Sequence, residues 1–301
     1  MTIISSEKLT KSYARRDALK DFSFSIKQNT ITGLVGRNGA GKTTLLKILA
    51  GQLRSTSGSI KVFNENPFNN LFVSANTIFI RDELEFPQAL NLYDILHTAG
   101  SFYPKWDKDF ALRLFNYFNL DQKGFYYELS KGNKSTFNMI IGLAARCPLT
   151  LFDEPTSGMD AAVRRDFYRV LLKDYIDHPR TFIISSHYLE EIEDLLEYLL
   201  LIDQGEKILH LPIEDVKDYA VSVTGPNKSL EQIPENKWIS RRRVDEDTSV
   251  LIVKRDKTLE ELPLENLMIK PVSPNDLCIY MTEYKGGIDH VLYTSDIEGS
   301  R

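Results

Sequence analysis

Cysteines are scarce in this sequence and are poorly placed for disulfide or metal chemistry. Only Cys147 and Cys278 occur among 301 residues. Their wide separation matches neither a disulfide framework nor the spacing of metal ligands. We therefore expect two buried thiols in a reducing compartment.

Long apolar runs are also missing. The longest, residues 195–202, is interrupted by Glu197 and is far shorter than the ~20 residues that span a bilayer. Residues 1–6 show no charged segment followed by an apolar stretch, so no secretory signal is predicted. Any passage through a membrane is therefore expected on a partner chain.

The sequence lacks the basic excess that nucleic-acid binding usually requires. Lysine and arginine total 37 against 42 acidic residues, which gives a net charge of −5. The basic run Arg241–Arg243 is followed by three acidic residues at 245–247, which favours a solvated strand face. Nucleic acid is therefore not expected as a partner. Apolar residues make up 42% and charged residues 26%, as in ordinary globular proteins.

The first half of the chain contains the pattern of an α/β domain. Residues 22–26 alternate apolar and polar, which predicts a half-buried strand. Residues 30–35 read as the next strand, and they lead into a glycine-rich turn and a helix at 42–50 that Gly51 would cap. Strand, glycine loop and helix in this order are typical of a phosphate-binding loop.

The pattern continues through the middle of the chain. An apolar run at 149–152, a helix from Ala161 and a second apolar run at 181–184 predict a strand-helix-strand unit of a mostly parallel sheet. Residues 199–202 and 207–209 flank a short polar turn, so a hairpin is expected to close this domain.

At 301 residues, the chain exceeds the usual length of one domain. We place a boundary near residue 215. Strand candidates at 220–223 and 250–253 and a helix at 274–284 then predict a small accessory α/β unit. The predicted division is residues 1–215, an accessory domain at 216–285, and a flexible tail at 286–301.

The glycine-rich turn satisfies the P-loop pattern. Its chemistry needs glycines so that backbone N–H groups turn towards phosphate oxygens, a helix N-terminus for partial positive charge, and a lysine for the terminal phosphates. Thr43 is the candidate magnesium ligand of this segment. The predicted nucleotide-binding residues here are Gly36, Arg37, Asn38, Gly39, Ala40, Gly41, Lys42, Thr43 and Thr44.

Two acidic residues end the apolar strand at 149–152. Asp153 is the candidate magnesium ligand, and Glu154 is the candidate general base for the attacking water. His187 ends the later strand, where an imidazole could polarise the γ-phosphate or hold the water. Taken alone, an acidic pair or a single histidine is weak evidence for a site.

These motifs occur in the order typical of one family, the ABC ATPases. Besides the P-loop, the acidic pair and His187, the chain has the segment Leu129–Asn133, which we call the signature segment, and the turn Ser157–Asp160. Over residues 1–215 the chain resembles the ATP-binding subunits of ABC transporters. The resemblance implies a P-loop NTPase cassette of the α/β class, with a mostly parallel core sheet, an antiparallel β subdomain and a helical signature subdomain. The small C-terminal α/β unit would be an appendage to it.

The resemblance also implies ligands and partners. Tyr13 resembles the aromatic residue that stacks on adenine, and Ser130 and Gly132 resemble the residues that bind the γ-phosphate of an opposite subunit. A dimer follows, either with itself or with a sister ATPase. ATP and Mg²⁺ are the implied cofactors, and separate membrane-spanning subunits would hold the chain peripherally at the cytoplasmic face of the cell membrane.

The chain departs from the family pattern at two places. The signature segment has Lys131 where the family usually has glycine and Asn133 where it has glutamine. In the region of the family's magnesium-sensing glutamine, Asp82 takes the expected place, with Gln88 as a later alternative. Asp82 is therefore a third candidate metal ligand, and its charge would change coupling between the membrane partner and hydrolysis.

The function expected from these features is that of an ATP-hydrolysing subunit of an ABC transporter. The variant signature segment and the C-terminal unit resemble those of bacterial exporter ATPases for peptides and drugs. The alternative is a regulatory or soluble ABC ATPase that does not serve transport.

Overall fold

The computed structural model describes residues 1–14, 16–82, 84–256 and 267–283. The chain divides into two compact units, Met1–Ile213 and Glu214–Arg301. The tail predicted at 286–301 and the last residue of the helix predicted at 274–284 lie outside the described residues. Within the described residues, no helix has the length and apolar character that crossing a membrane requires.

The first unit contains nine strands and six α-helices among the residues described. The strands are β1 (Thr2–Tyr13), β2 (Arg16–Lys27), β3 (Ile31–Val35), β4 (Ser57–Val62), β5 (Thr77–Ile80), β6 (Leu149–Asp153), β7 (Thr181–Ser186), β8 (Tyr198–Asp203) and β9 (Glu206–Pro212). The helices are α1 (Lys42–Leu49), α2 (Leu71–Asn76), α3 (Leu92–Phe102), α4 (Lys108–Tyr117), α5 (Lys131–Ala144) and α6 (Ala161–Asp177). Short 3₁₀ turns lie at Tyr126–Glu128, Leu189–Glu191 and Glu193–Leu195.

The central sheet has six strands in the order β5-β6-β7-β3-β8-β9. The first five run parallel, and β9 returns antiparallel from β8. All residues of β3, β6 and β7 are buried, as expected of strands covered on both faces. The predicted α/β fold is confirmed. Gln204 and Gly205 both have positive φ, which fits the hairpin turn predicted between these two strands.

The parallel strands bring the predicted motifs to one edge of the sheet. The register pairs Val35 with Ser186 and Asp153 with Ser185, so β3, β6 and β7 end side by side. The P-loop, the acidic pair and the histidine segment follow these three ends. A site at the carboxyl edge is the usual arrangement in open α/β sheets.

A three-stranded antiparallel sheet, ordered β2-β1-β4, covers α1. The alternation predicted for residues 22–26 is confirmed, because Phe22, Phe24 and Ile26 are buried. These side chains join one apolar core with Leu45 and Leu46 of α1. The packing fixes the helix that begins at the P-loop.

Helices α3, α4 and α5 form the helical part of the first unit. The side chains of Asn91 and Asp107 cap α3 and α4 by accepting N–H groups at 2.9 Å. The apolar face of α4 buries Ala111, Leu114 and Phe115. Phe115 packs edge-on against a phenylalanine of α5, which anchors the helix that carries the signature segment.

The described part of the second unit is built on a four-stranded antiparallel sheet. Its order is β11-β12-β10-β13. The elements are α7 (Ile213–Lys217), β10 (Ala220–Pro226), α8 (Asn227–Leu230), a 3₁₀ turn (Glu235–Lys237), β11 (Trp238–Arg243), β12 (Thr248–Lys254), β13 (Met268–Pro271) and α9 (Pro274–Thr282). Val223, Leu230 and Leu251 are among the residues of its core. The basic run Arg241–Arg243 lies exposed on the edge strand β11, as expected for a solvated face.

Candidate active site

The P-loop follows β3 and leads into α1. Gly39 and Gly41 have φ of 80° and 115°, a region that other residues rarely adopt. A Cβ on Gly41 would lie 2.4 Å from the carbonyl oxygen of Ala18, and one on Gly36 would lie 2.2 Å from that of Ile202. These glycines are therefore required by backbone packing. Gly41 precedes α1 without a capping side chain, so the first turn of the helix presents its partial positive charge to the loop.

The other predicted P-loop residues occupy the same turn. Arg37 and Asn38 are exposed, Ala40 is buried, and Thr44 is partly buried in the first turn of α1. Burial raises the pKa of Asp203, and the Arg37 guanidinium opposes that rise. Arg37 is therefore close enough to Asp203, the last residue of β8, to stabilise its ionised carboxylate.

Lys42 is a buried cation with protein partners. Its side chain is only 6% exposed. The ammonium donates to the carbonyl oxygen of Gly36 at 2.6 Å and lies 3.3 Å from Glu154 Oε1. A buried charge requires such partners. The ammonium is thereby held at the mouth of the P-loop.

Thr43 and Asp153 meet across the gap between α1 and β6. The Thr43 hydroxyl donates to Asp153 Oδ2 at 2.7 Å, and the Ser185 hydroxyl donates to Asp153 Oδ1 at 2.7 Å. A hydroxyl and a carboxylate are oxygen ligands of the kind that Mg²⁺ binds. Within the described residues, no three His, Cys, Asp or Glu side chains cluster closely enough to hold a metal. The hydroxyl of Thr43 and the carboxylate of Asp153 fit a magnesium site that phosphate oxygens would complete.

Ser185 was not among the predicted site residues. Its hydroxyl also accepts the N–H of Glu154 at 2.9 Å, so one side chain fixes both members of the acidic pair. The signal in the sequence was its position two residues before His187, at the end of a strand that neighbours β6. A serine is common at strand ends, and only the register of β6 against β7 places it beside Asp153.

Glu154 lies between a lysine and a histidine. Its Oε1 is 3.3 Å from Lys42 Nζ, and its Oε2 is 3.0 Å from His187 Nδ1. The backbone of Glu154 is left-handed, with φ of 48°, and turns the side chain off the end of β6. Strained backbone of this kind is often found at functional sites. The structure thus brings together Lys42, Glu154 and His187, three residues that the sequence predicted separately.

The signature segment leads into α5, whose first residue is Lys131. Ser130 caps the helix, with its hydroxyl accepting the N–H of Asn133 at 3.3 Å. A Cβ on Gly132 would lie 2.5 Å from the carbonyl oxygen of Gly158. Gly132 is therefore required for close contact between α5 and the turn Ser157–Asp160. This is a structural reason for glycine, independent of any phosphate contact.

Asp82 and Lys131, which both depart from the family pattern, contact each other. Lys131 Nζ lies 3.4 Å from Asp82 Oδ2. Both residues line an open cavity of about 580 Å³ together with Thr43, Asp153 and Glu154. Asp82 therefore shares a cavity with the predicted magnesium ligands.

Tyr13 lies at the end of β1, and its side chain is nearly half exposed. Lys11 Nζ lies 5.1 Å from the centre of its ring. The residue paired with Tyr13 in β2 is Arg16, whose guanidinium donates to the carbonyl oxygen of Gly39 at 3.3 Å. This contact, which the sequence did not predict, ties the β1–β2 hairpin to the P-loop.

Comparison with known proteins identifies the family. The model of the ABC transporter family matches residues 19–157. The chain is 28% identical over 221 residues to the ABC transporter ATP-binding protein YtrB of Bacillus subtilis, covering 73% of this chain and 76% of that protein. It is 30% identical over 219 residues to the linearmycin resistance ATP-binding protein LnrL of Bacillus subtilis, covering 68% of each chain. The bacitracin transport ATP-binding protein BcrA of Bacillus licheniformis is 26% identical over 242 residues, with 72% of each chain covered.

Solved structures agree on the fold. An ATP-binding subunit of an ABC transporter superposes with a TM-score of 0.64 at 20% identity, covering 71% of this chain and 92% of that one. A dimeric ATP-binding cassette bound to ADP and Pi gives a TM-score of 0.62 at 19% identity, covering 70% and 98%.

The fold is that of a P-loop ATPase cassette. The chain belongs to the ATP-binding subunits of ABC transporters, a family of transport ATPases that bind ATP with Mg²⁺ and work with membrane subunits.

Proposed function

We propose that this chain binds Mg-ATP and hydrolyses it to power export of a peptide or drug-like molecule through separate membrane-spanning subunits. The observation that carries the catalytic part is the contact of Glu154 with both Lys42 and His187 beside the Thr43–Asp153 pair. Support for export comes from relatives whose names state bacitracin transport, linearmycin resistance and lantibiotic transport.

Nucleotide binding is assigned to the P-loop and its neighbours. The N-terminus of α1 and the Lys42 ammonium would take the phosphates, because both supply positive charge at one point. Thr43 and Asp153 would hold magnesium, which neutralises phosphate charge when bound. Tyr13 is assigned to stack on the adenine ring, since its side chain is partly exposed and its hairpin contacts the P-loop.

Hydrolysis is assigned to Glu154 with His187. A carboxylate in reach of the attacking water can accept its proton, and the imidazole 3.0 Å from Glu154 Oε2 can orient that carboxylate. Ser185 holds the backbone N–H of Glu154 at 2.9 Å and so limits its movement. Glu154 is paired with Lys42, so the carboxylate must leave that ammonium before it acts as a base.

The contact with a membrane subunit is assigned to an apolar groove. The groove lies beside the cavity lined by Thr43, Asp153 and Glu154, which we call the nucleotide cavity. The groove encloses about 470 Å³ and is lined by Phe79, Phe86, Ile95, Phe102 and Ile141 among others. Phe102 is 71% exposed there. Arg81 lines both the groove and the nucleotide cavity, so a cytoplasmic helix of the membrane subunit seated in the groove would contact the segment that bears Asp82.

Two cassettes are expected to act together. The dimeric cassette among the structural neighbours supports an arrangement in which Ser130 and Gly132 of one subunit face the nucleotide of the other. The partner is either a second copy of this chain or a sister ATPase. This arrangement would place the working protein peripherally at the cytoplasmic face of the membrane.

The proposed transport function is tested with inside-out membrane vesicles. Vesicles that carry this chain and its membrane-spanning subunits should accumulate labelled bacitracin, or another peptide antibiotic, when ATP is supplied. Lys42→Ala should abolish both uptake and hydrolysis, because it removes the buried cation of the P-loop. ATP-dependent uptake that persists in the Lys42→Ala vesicles would contradict the assignment.

The groove is tested by a second pair of variants. Phe102→Glu places a charge in the groove and should prevent binding to the membrane subunit while leaving ATP binding intact. Leu71→Glu is the matched control, since Leu71 is 88% exposed on α2 and outside the groove. Hydrolysis that is indifferent to membrane subunits in every variant would favour the alternative of a soluble or regulatory ABC ATPase.

A further inference from the structure

Two segments carry the catalytic candidates, and each directly follows a parallel strand. The segment after β6 (154–160) begins with Glu154, and the segment after β7 (187–191) begins with His187. Oε2 of Glu154 is 3.0 Å from Nδ1 of His187. Ser185 joins the strand ends, because its hydroxyl accepts the N–H of Glu154 at 2.9 Å. The contact between carboxylate and imidazole therefore depends on how the two segments are held together.

Glu191 joins the two segments beyond the strand ends. It is the last residue of the segment after β7 and lies in a 3₁₀ turn. Its Oε2 lies 3.5 Å from the hydroxyl of Thr156 in the segment after β6. Its Oε1 forms an ion pair with Arg164, near the start of α6. One carboxylate therefore contacts both the segment after β6 and the helix that continues it.

Arg164 extends this connection to the backbone of the segment after β6. Its guanidinium donates to the carbonyl oxygen of Met159 at 3.5 Å. Backbone hydrogen bonds of 3.1 Å close this segment on itself, from the N–H of Ser157 to Glu154 and from the N–H of Met159 to Thr156. The ion pair therefore restrains, at a second point, the compact turn that begins with the general-base candidate.

Helix α6 is already attached to the sheet by apolar packing. Phe167 and Leu171 of α6 are fully buried, and Phe167 packs edge-on against Phe152 of β6 with ring centres 5.7 Å apart. The side chains of Arg164 and Glu191 are 32% and 23% exposed, and exposed ion pairs usually add little stability. The main consequence of the ion pair is therefore expected in the geometry of the two segments, more than in the stability of the fold.

We propose that Glu191 is a positioning residue for ATP hydrolysis, which holds the segment after β6 against the segment after β7, with Arg164 as its partner. The inference rests on the proposed roles of Glu154 and His187. Neither Glu191 nor Arg164 is among the described residues that line the nucleotide cavity. Their loss should therefore slow the chemical step and leave nucleotide binding nearly unchanged.

The test measures steady-state hydrolysis and the affinity for Mg-AMP-PNP on the purified full-length chain. Glu191→Gln keeps the size of the side chain but removes its charge. The kcat should fall about 10–100-fold, as is typical when a residue that supports a catalytic group is lost, while KM for Mg-ATP and the calorimetric affinity stay nearly unchanged. Arg164→Gln should give a similar loss, and the double variant should lose no more than either single variant, because both residues act through one contact.

A charge exchange and a matched control complete the test. Glu191→Arg combined with Arg164→Glu should recover part of the turnover that either reversal alone removes. Asp194→Asn also loses a carboxylate, but Asp194 is exposed in the next 3₁₀ turn, so this control should hydrolyse ATP at the wild-type rate.

Unchanged kcat in Glu191→Gln, an equal fall in Asp194→Asn, or additive losses in the double variant would overturn the inference. Circular dichroism checks that each variant is folded, and Arg164→Gln carries the same test if Glu191→Gln does not fold. A fully active Glu154→Gln variant would instead refute the proposed function, and this inference with it.

Discussion

Replacing Glu154 by glutamine is the substitution that best separates nucleotide binding from hydrolysis. The carboxylate lies 3.3 Å from Lys42 Nζ and 3.0 Å from His187 Nδ1. Glutamine keeps the size and much of the hydrogen bonding of this side chain, but it carries no charge and cannot take a proton from water. We expect turnover to fall and the affinity for ATP to rise.

The size of both effects follows from the structure. Loss of a general base typically lowers the rate ~10²–10⁴-fold. The gross attraction between unit charges 3.3 Å apart is about 5 kcal/mol at an effective dielectric constant of ~20. Desolvation leaves a net of about 1.5–3 kcal/mol for a hydrogen bond to a charged group. Because glutamine keeps part of that bond, we expect ATP to bind about tenfold more tightly, equivalent to ~1.4 kcal/mol.

The assay measures both quantities on purified chain. Phosphate release gives the turnover number, and calorimetry with Mg-AMP-PNP gives the affinity. Size-exclusion chromatography with light scattering reports whether two cassettes stay closed around nucleotide. Glu214→Gln is the control, because it also removes one carboxylate from an ion pair, and Glu214 is 77% exposed.

Each outcome has a separate meaning. Glu154→Gln that hydrolyses ATP at the wild-type rate would refute the assignment of the general base. Unchanged affinity in a variant that has lost turnover would show that Glu154 does not compete with the γ-phosphate for Lys42. A dead variant that stays monomeric in saturating nucleotide would leave the base assignment standing and would indicate a sister subunit.

Three further predictions concern other groups. Ser185→Ala removes the hydrogen bond that Ser185 donates to Asp153 and the one that it accepts from the N–H of Glu154, so turnover should fall about tenfold. Unchanged turnover in the folded variant would contradict the positioning role of Ser185. Gly132→Ala places a Cβ 2.5 Å from the Gly158 carbonyl oxygen, and urea titration should show a loss of about 1–3 kcal/mol in the free energy of unfolding. Burial raises the pKa of the Cys147 thiol from 9.0 to about 12. Deprotonation of this thiol therefore favours the unfolded chain, and the free energy of unfolding should fall as the pH rises above about 9. An identical pH dependence of unfolding in Cys147→Ala would contradict this.

The core of the fold was predictable because its strands are continuous apolar runs beside motifs of fixed spacing. The runs at 30–35, 149–152 and 181–184 each coincide with a strand of the parallel sheet. The alternating pattern at 22–26 predicted only the second half of β2. Its partner β1 was missed, because polar residues and three shifts of register near Leu9 and Ser12 break the alternation.

The composition of the site was predictable, and its contacts were not. P-loop residues are recognisable since backbone geometry demands glycine at particular positions. Ser185 and Arg16 act through contacts between strands and between a hairpin and the P-loop, at sequence separations of 31 and 23 residues. The pairing of Asp82 with Lys131 was equally invisible, although each was noticed as a departure. A single sequence gives residue types at a site, whereas register and packing decide which of them meet.

The site pairs its polar and charged groups with one another. Lys42 is held by Glu154, and Thr43 by Asp153. In the proposed mechanism, an incoming nucleotide must replace these contacts, so its affinity is the difference between its own bonds and those it displaces. The same exchange explains how premature chemistry is avoided, because Glu154 is released to act as a base only when a phosphate takes Lys42. Binding and activation are then one event, and replacing Glu154 by glutamine should tighten nucleotide binding without raising turnover.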